Sequence, residues 1–315
     1  MELSRLPASM QPEEVIQNRR KPERIITVNE AGEVQYDTVQ VLNLGYVTQV
    51  AMMGTETDIV TAARVSYQEG TKQVLGKRGL IDRLLREEHM SPFEMPMLRY
   101  QVRMPDFVRS HYVRHRTATL NSESGRYSVM RDLFFLPDTV RVQDAHDRQM
   151  SAGVQDDPES AQALALLTAH TRRSYEVYQE LLALGMPREQ ARWALPNTLY
   201  VHLIWQQNLR NLLHLFRLRM DRHAQTETRL YAWAMYDLTV PHFPLTLDSW
   251  ENHVLYARRF SFDELEILQE GMAQLTALMS ERGMGDVTVQ GVFKELASTR
   301  LKGTRLRNFT EKLSW

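Results

Sequence analysis

Apolar and polar positions alternate with period two in two well-defined stretches of the chain. In "MLRYQVRMP", Leu98, Tyr100 and Val102 face one way and Arg99, Gln101 and Arg103 the other, which predicts a half-exposed strand. "TLYVHLIWQQ" repeats the pattern through Leu199, Val201, Leu203 and Trp205 and runs into Asn208. Three further strand-like runs, "RIITV", "VQYDTVQVLNL" and "YVTQVAMMG", lie between Glu23 and Gly54 and are separated by turn residues.

Helical spacing takes over elsewhere. "TDIVTAARVSYQ" reads as a helix. "LIDRLLREEHMSPFEM" reads as an amphipathic helix stopped before Pro92, since a residue preceding proline is pushed out of the helical region. Pro105 suits a first helical position, so "PDFVRSHYVRHR" is expected as a helix that delivers Arg114, His115 and Arg116 to its far end. A long helix is expected from Ala161 to Leu184, and a short one in "MPREQARWALP" between Pro187 and Pro196. Asn208 is placed to cap "LRNLLHLFRLRM", and "HAQTETRLYAWAMYDL" and "FDELEILQEGMAQLTALMSER" complete the helices. Residues 1–24 read as a polar arm, 137–160 as a solvent-facing insertion, and the chain ends in a basic tail. Strands interleaved with helices, with no GxGxxG after a strand, predict an α/β or α+β domain that is not Rossmann-like.

Composition narrows the chemistry. The 315 residues are 43% hydrophobic and 24% charged, with a formal net charge of -1. Such a balance gives no global pull toward nucleic acid, so anion binding must come from local clusters. No apolar run approaches the roughly 20 residues a membrane span needs, and the first residues lack a signal-peptide core, so a cytoplasmic protein is expected. Cysteine is absent, which removes disulfides, thiolate metal sites and cysteine nucleophiles together.

Three constellations carry possible chemistry. Arg114, His115, Arg116 and Arg126, with Ser122, Ser124 and Gly125 between them, combine guanidinium forks, hydroxyls and exposed amides suited to phosphate. The alternative is a solvated basic helix end paired with Glu123. Against it stand Gly125, which permits close backbone approach, and the density of hydroxyls in the loop. His111 and His115 are spaced as two metal ligands on a helix face would be, but the pattern lacks the Glu of HExxH and a third ligand, so a structural or stacking role is preferred and no metal is expected. The second constellation is Arg210, His214, Arg217, Arg219 and Arg222, which alone reads as a solvated basic helix side. The third is Arg192, by itself an ordinary surface arginine.

Taken together, these segments resemble the flavin-dependent thymidylate synthase family (ThyX). The signature is Arg114-His115-Arg116, seven residues, then Ser124, extended by Gly125-Arg126-Tyr127. Supporting it in order are "AARVSY", "EHMSPFEM", "PREQARWALP" and "NLRNLLHLFRLRMDRHAQ". The resemblance covers about residues 41 to 238. It divides the chain into an N-terminal extension (1–40), a synthase domain (41–238) and a C-terminal helical extension (239–315). The implied fold is α+β, a central mixed sheet flanked by helices.

The resemblance further implies FAD as cofactor, NADPH as its reductant, and dUMP and methylenetetrahydrofolate as substrates, in a homotetramer with no nucleic-acid or membrane partner. By residue matching, Ser91, Arg114, His115, Arg116, Ser122, Asn208, Arg210 and His214 would contact FAD. Ser124, Gly125 and Arg126 would hold the nucleotide phosphate, and Arg192 and Arg219 the uracil end, with Arg219 as the activating residue. Arg114 would touch both ligands, His111 would stand beside the nucleotide, and His89 near the folate and flavin rings. Where relatives have Glu second after the loop Asn, this chain has Asn121-Ser122-Glu123-Ser124. Either Ser122 replaces that carboxylate contact or Glu123 supplies it. The rival to an enzyme is a non-catalytic flavin- or phosphate/RNA-binding relative, which would need a contiguous basic face. Basic and acidic residues instead number 38 and 39 and are mixed throughout.

Overall fold

The structure is a computed structural model of the chain. It describes residues 25–28, 34–65, 75–145, 148, 150–257, 261–281 and 298. The segments read as an N-terminal arm and a basic tail lie outside these residues. The chain divides into two compact units, Met1–Tyr256 and Ala257–Trp315.

The first unit is built on one six-stranded sheet. Its strands are β1 (Ile25–Val28), β2 (Val34–Val41), β3 (Gly45–Met53), β4 (Met97–Pro105), β5 (Thr119–Ser122) and β8 (Tyr200–Asn208). They lie in the order β1-β2-β3-β4-β8-β5. The α+β expectation holds, but the sheet is not mixed: every pairing is antiparallel. Excursions longer than a hairpin turn, such as those between β3 and β4 and between β4 and β8, still return the chain in the opposite direction, so no parallel crossover forms.

The alternation read in the sequence fixes the sheet's faces. Leu98, Tyr100, Val102 and Met104 of β4 are fully buried, as are Leu203 and Trp205 of β8, while Arg99 is exposed. Against the buried face pack the helices α6 (Leu209–Arg219) and α7 (Thr226–Thr239). Tyr100 and Thr239 share a hydrogen bond between their hydroxyls at 2.7 Å, and the Tyr231 hydroxyl donates to the Arg103 carbonyl at 2.7 Å. Gly45 is required here, because a Cβ on it would lie 1.8 Å from the Tyr231 hydroxyl.

Helix α1 (Glu56–Arg64) starts with a capping box between Thr55 and Asp58. Helix α2 (Lys77–Arg86) ends well before Pro92, earlier than expected. Glu88 adopts a left-handed φ of 57°, and the His89 amide then donates to the Leu84 carbonyl at 2.8 Å and the Glu88 amide to Leu85 at 3.3 Å. This Schellman closure satisfies the helix end without a glycine. A 3-10 turn, Ser91–Glu94, follows.

Residues 137–160 contain a hairpin that the sequence pattern did not reveal, β6 (Val140–Gln143) and β7 (Ser151–Gln155). It leads into α4 (Pro158–Ala183), capped by Asp157, and then the short α5 (Arg188–Ala191) with a 3-10 turn over Arg192–Ala194. Helix α8 (Pro244–Trp250) packs on α2. In the second unit the described helix is α9 (Phe262–Glu281), close to its expected span.

Candidate active site

The RHR triplet owes its position to a short helix that lies between β4 and β5 in the chain. Helix α3 (Asp106–Tyr112) leaves β4 directly. It has no side-chain cap; its first amides instead bond the loop before β8, Asp106 N–H to the Leu199 carbonyl at 2.9 Å and Phe107 N–H to Asn197 at 3.0 Å. Tyr112 is fully buried edge-on to Trp205, with ring centroids 5.7 Å apart. The helix ends there, so Arg114, His115 and Arg116 follow in a turn instead of on its last turn. Arg114 and Arg116 are exposed and His115 is buried.

His115 meets Arg219 at the end of α6. The Arg219 Nε–H donates to His115 Nε2 at 3.0 Å, and an Arg219 terminal N–H donates to the His111 carbonyl at 3.1 Å. An imidazole nitrogen that accepts from a guanidinium carries no proton, so His115 is neutral with its proton on Nδ1. Burial, then Arg219, then His214 push its pKa down to about 4. The His214 ring stands edge-on at 6.1 Å. Burial and the Arg219 and Arg114 charges lower His111 as well, while Glu227 acts in the opposite direction. Burial also lowers Arg219 from its ordinary value.

A second group forms around the loop after β5. Gly125 is buried, and a Cβ there would lie 3.1 Å from Met130 Sδ and 3.2 Å from Arg192 Cδ. The missing side chain therefore lets the Ser124-Gly125-Arg126 backbone sit against Arg192. Arg126 pairs with Glu189 of α5 at 3.4 Å, both partners exposed. Ser122 and Glu123 are partly buried, and the Glu123 amide donates to the His202 carbonyl at 2.8 Å, extending the β5–β8 ladder.

The third group lies where β8 becomes α6. Asn208 caps the helix as expected, its Oδ1 accepting from the Asn211 amide at 2.9 Å. Arg210 pairs with Glu94 of the turn that also holds Ser91. His89 is exposed, with Glu87 4.0 Å away. Gln207, buried beside the cap, donates to Thr117 Oγ1 at 3.0 Å, while its Oε1 is buried without a hydrogen-bond partner among the described residues. That bond ties the turn after the RHR triplet to β8.

The structure thus joins His111, His115, His214 and Arg219 in one cluster, Ser124, Gly125, Arg126 and Arg192 in another, and Ser91, Asn208 and Arg210 in a third. Among the described residues no hydrogen bond or ion pair links the Arg126–Arg192 group to the Arg219 group. Nor is any set of three His, Asp or Glu side chains there disposed to hold a metal. Sequence reasoning missed Glu94, Glu189, Thr228 and Glu227, whose only local signal is a carboxylate or hydroxyl at a helix start.

The chemistry of the donor set decides what these groups suit. Arg114, Arg116, Arg126, Arg192 and Arg210 are exposed, and guanidinium groups only donate. The Asn208 carbonyl is already used in capping, so its amide N–H groups remain to donate. A set so rich in donors fits the diphosphate of a dinucleotide and the phosphate of a nucleotide.

Comparison with known proteins agrees. Residues 49–245 match the Thy1 family model, "Thymidylate synthase complementing protein". The flavin-dependent thymidylate synthase of Thermus thermophilus is 40% identical over 276 residues, covering 88% of this chain and 96% of that protein. That of Treponema denticola is 37% identical over 278 residues, covering 87% and 96%. The crystal structure of a UMP/dUMP methylase PolB from Streptomyces cacaoi, bound with 5-Br dUMP, superposes with a TM-score of 0.61. It shares 30% identity over 68% of this chain and 97% of that one. An RHR turn held against β8, an arginine anchored on its histidine, and this level of identity across nearly the whole length converge: the chain belongs to the Thy1 family of flavin-dependent thymidylate synthases.

Proposed function

We propose that this thymidylate synthase converts dUMP to dTMP, with methylenetetrahydrofolate as carbon donor, FAD as redox cofactor and NADPH as the reductant. The observation that carries the mechanism is Arg219: a partly buried guanidinium fixed by His115 Nε2 and the His111 carbonyl. Methylation at C5 of uracil needs electron density there, and a chain with no cysteine cannot raise it by thiolate addition. Arg219, held in a half-desolvated position, stabilises negative charge on the uracil N3/O2 edge and so enriches C5. Because its anchors are fixed before the nucleotide arrives, little reorganisation accompanies this stabilisation. Arg192 orients the uracil end from the opposite group.

The phosphate is held by Ser124, the Gly125 amide and Arg126. Its arrival displaces Glu189 from Arg126, at little cost because exposed ion pairs contribute roughly 0 to 1 kcal/mol. Ser122 or Glu123 completes the nucleotide contacts, with His111 and Arg114 beside them. Arg114, His115, Arg116, Ser91, Ser122, Asn208, Arg210 and His214 would hold FAD, which when reduced would supply the hydride that completes the methyl group. His89 would stand near the folate and flavin rings. Two groups of nucleotide ligands that no described contact joins within one chain favour a site completed by another subunit, consistent with a homotetramer.

Tritium release from C5-labelled dUMP, with FAD, NADPH and methylenetetrahydrofolate present, tests this reading. Wild type releases label. Arg219→Ala retains FAD and loses at least about a hundredfold in turnover, the scale of a removed electrostatic stabiliser. Wild-type protein that binds FAD and dUMP but releases no label would refute it.

A further inference from the structure

One buried carboxylate has no part in the mechanism above. Glu227 lies in the first turn of α7 and is only 5% exposed. Its Oε1 accepts from an Arg141 terminal N–H of β6 at 2.8 Å, and its Oε2 is buried with no hydrogen-bond partner among the described residues. Arg141 is partly exposed while the carboxylate is buried, so the desolvation cost falls mainly on Glu227, and a neutral side chain would fill its space more cheaply.

Its neighbours supply a reason for the charge. Thr228, the next residue, is fully buried, and its Oγ1 lies 2.9 Å from His111 Nδ1. The Tyr112 hydroxyl reaches the Thr228 carbonyl at 3.5 Å, and the His111 carbonyl accepts from Arg219. An unbroken run of contacts therefore leads from the β6–β7 hairpin through the start of α7 to His111 on α3 and Arg219 on α6. With Nδ1 engaged, the His111 Nε2 is left to meet a ligand.

The charges facing His111 come from each packed element. Arg219 of α6 and Arg114 of the turn after α3 are cations; Glu227 of α7 is the anion that opposes them, itself paired with Arg141 of β6.

We infer that Glu227 is a positioning residue for the nucleotide: with Arg141 as counter-ion it fixes the start of α7, and through Thr228 it orients His111, whose carbonyl anchors Arg219. The inference rests on the reading that His111 and Arg219 face the nucleotide. It gives the β6–β7 hairpin a role in the reaction.

The test uses the full-length protein and three variants. Histidine NMR titration of ligand-free protein gives a signed readout. Glu227→Gln removes the opposing anion and moves the His111 titration to lower pH. Arg141→Met frees the carboxylate from its counter-ion and moves it to higher pH. Opposite signs are not produced by loosened packing. Glu227→Gln also raises the KM for dUMP by about tenfold, the scale of one charge-assisted hydrogen bond, with a smaller loss in kcat. It adds no further loss to His111→Ala, since the two act in series. An unmoved His111 titration in both variants overturns the inference, as do fully additive losses. If His111→Ala alone leaves the KM for dUMP unchanged, the placement of His111 at the nucleotide is what has failed. The inference falls with it, and the titration shifts identify that as the cause. Should Glu227→Gln not fold, the upward shift in Arg141→Met decides the matter alone.

Discussion

His115 has one partner in the fold and a proposed second one, and their demands on it are incompatible. Arg219 requires an imidazole that accepts, whereas the anion of a bound dinucleotide would favour one that is protonated. Burial, and after it Arg219, hold the folded pKa at about 4 against an ordinary 6.5. The sign of the pH effect follows. Below about 6.5 the unfolded chain takes up a proton that the folded chain refuses until about 4, so stability declines as pH falls through this window. The slope from this one group is at most about 1.4 kcal/mol per pH unit. Urea unfolding across the window should show that decline in wild type and a shallower one in His115→Gln. Equal slopes would mean that the imidazole titrates normally in the fold.

At the scale of elements, the junction between β8 and α6 separates stability from binding. Asn208 caps α6 through its carbonyl oxygen, and its amide remains for the ligand. Asn208→Ala should lose about 1 kcal/mol of stability and some flavin affinity. Asn208→Asp should keep the cap and the stability, yet bind FAD more weakly, because it introduces an anion among the cations proposed to hold the diphosphate. Denaturant titration and flavin retention on gel filtration read the two effects separately. This cap was legible in the sequence, as were β4 and β8, because their alternation runs the full length of each strand. The end of α2 was not, since Glu88 takes a left-handed conformation that local sequence reserves for Gly or Asn. Strands as short as β6 and β7 carry too few alternations to be read. The arginines proposed to meet ligands were singled out only through the ordered motifs. The carboxylates that pair with arginines were not legible, because Glu94 meets Arg210, Glu189 meets Arg126 and Glu227 meets Arg141 across long stretches of chain.

For the whole molecule, ligand binding and stability are one equilibrium. FAD and dUMP that bind only the folded state should raise the thermal midpoint with the logarithm of their concentrations, by about 2.7 kcal/mol in stability at a hundredfold excess over Kd. If subunits complete the site, dUMP should give a larger shift at high protein concentration than at low, which differential scanning fluorimetry across a dilution series would show. Concentration-independent shifts would argue for a site complete in one chain. The central pair of the sheet has a further consequence, in time. β4 and β8 pair along their whole length, Met97 opposite Asn208 and Pro105 opposite Tyr200, although the chain between them holds the RHR turn, the hairpin and α4. During synthesis the early half of the molecule therefore waits with an open strand edge, and Arg219, the proposed activating residue, emerges only after β8. Closure between such distant segments is slow, so substitutions in the β4–β8 pair should retard refolding itself, while the finished site needs no later rearrangement to bring its RHR turn and Arg219 together.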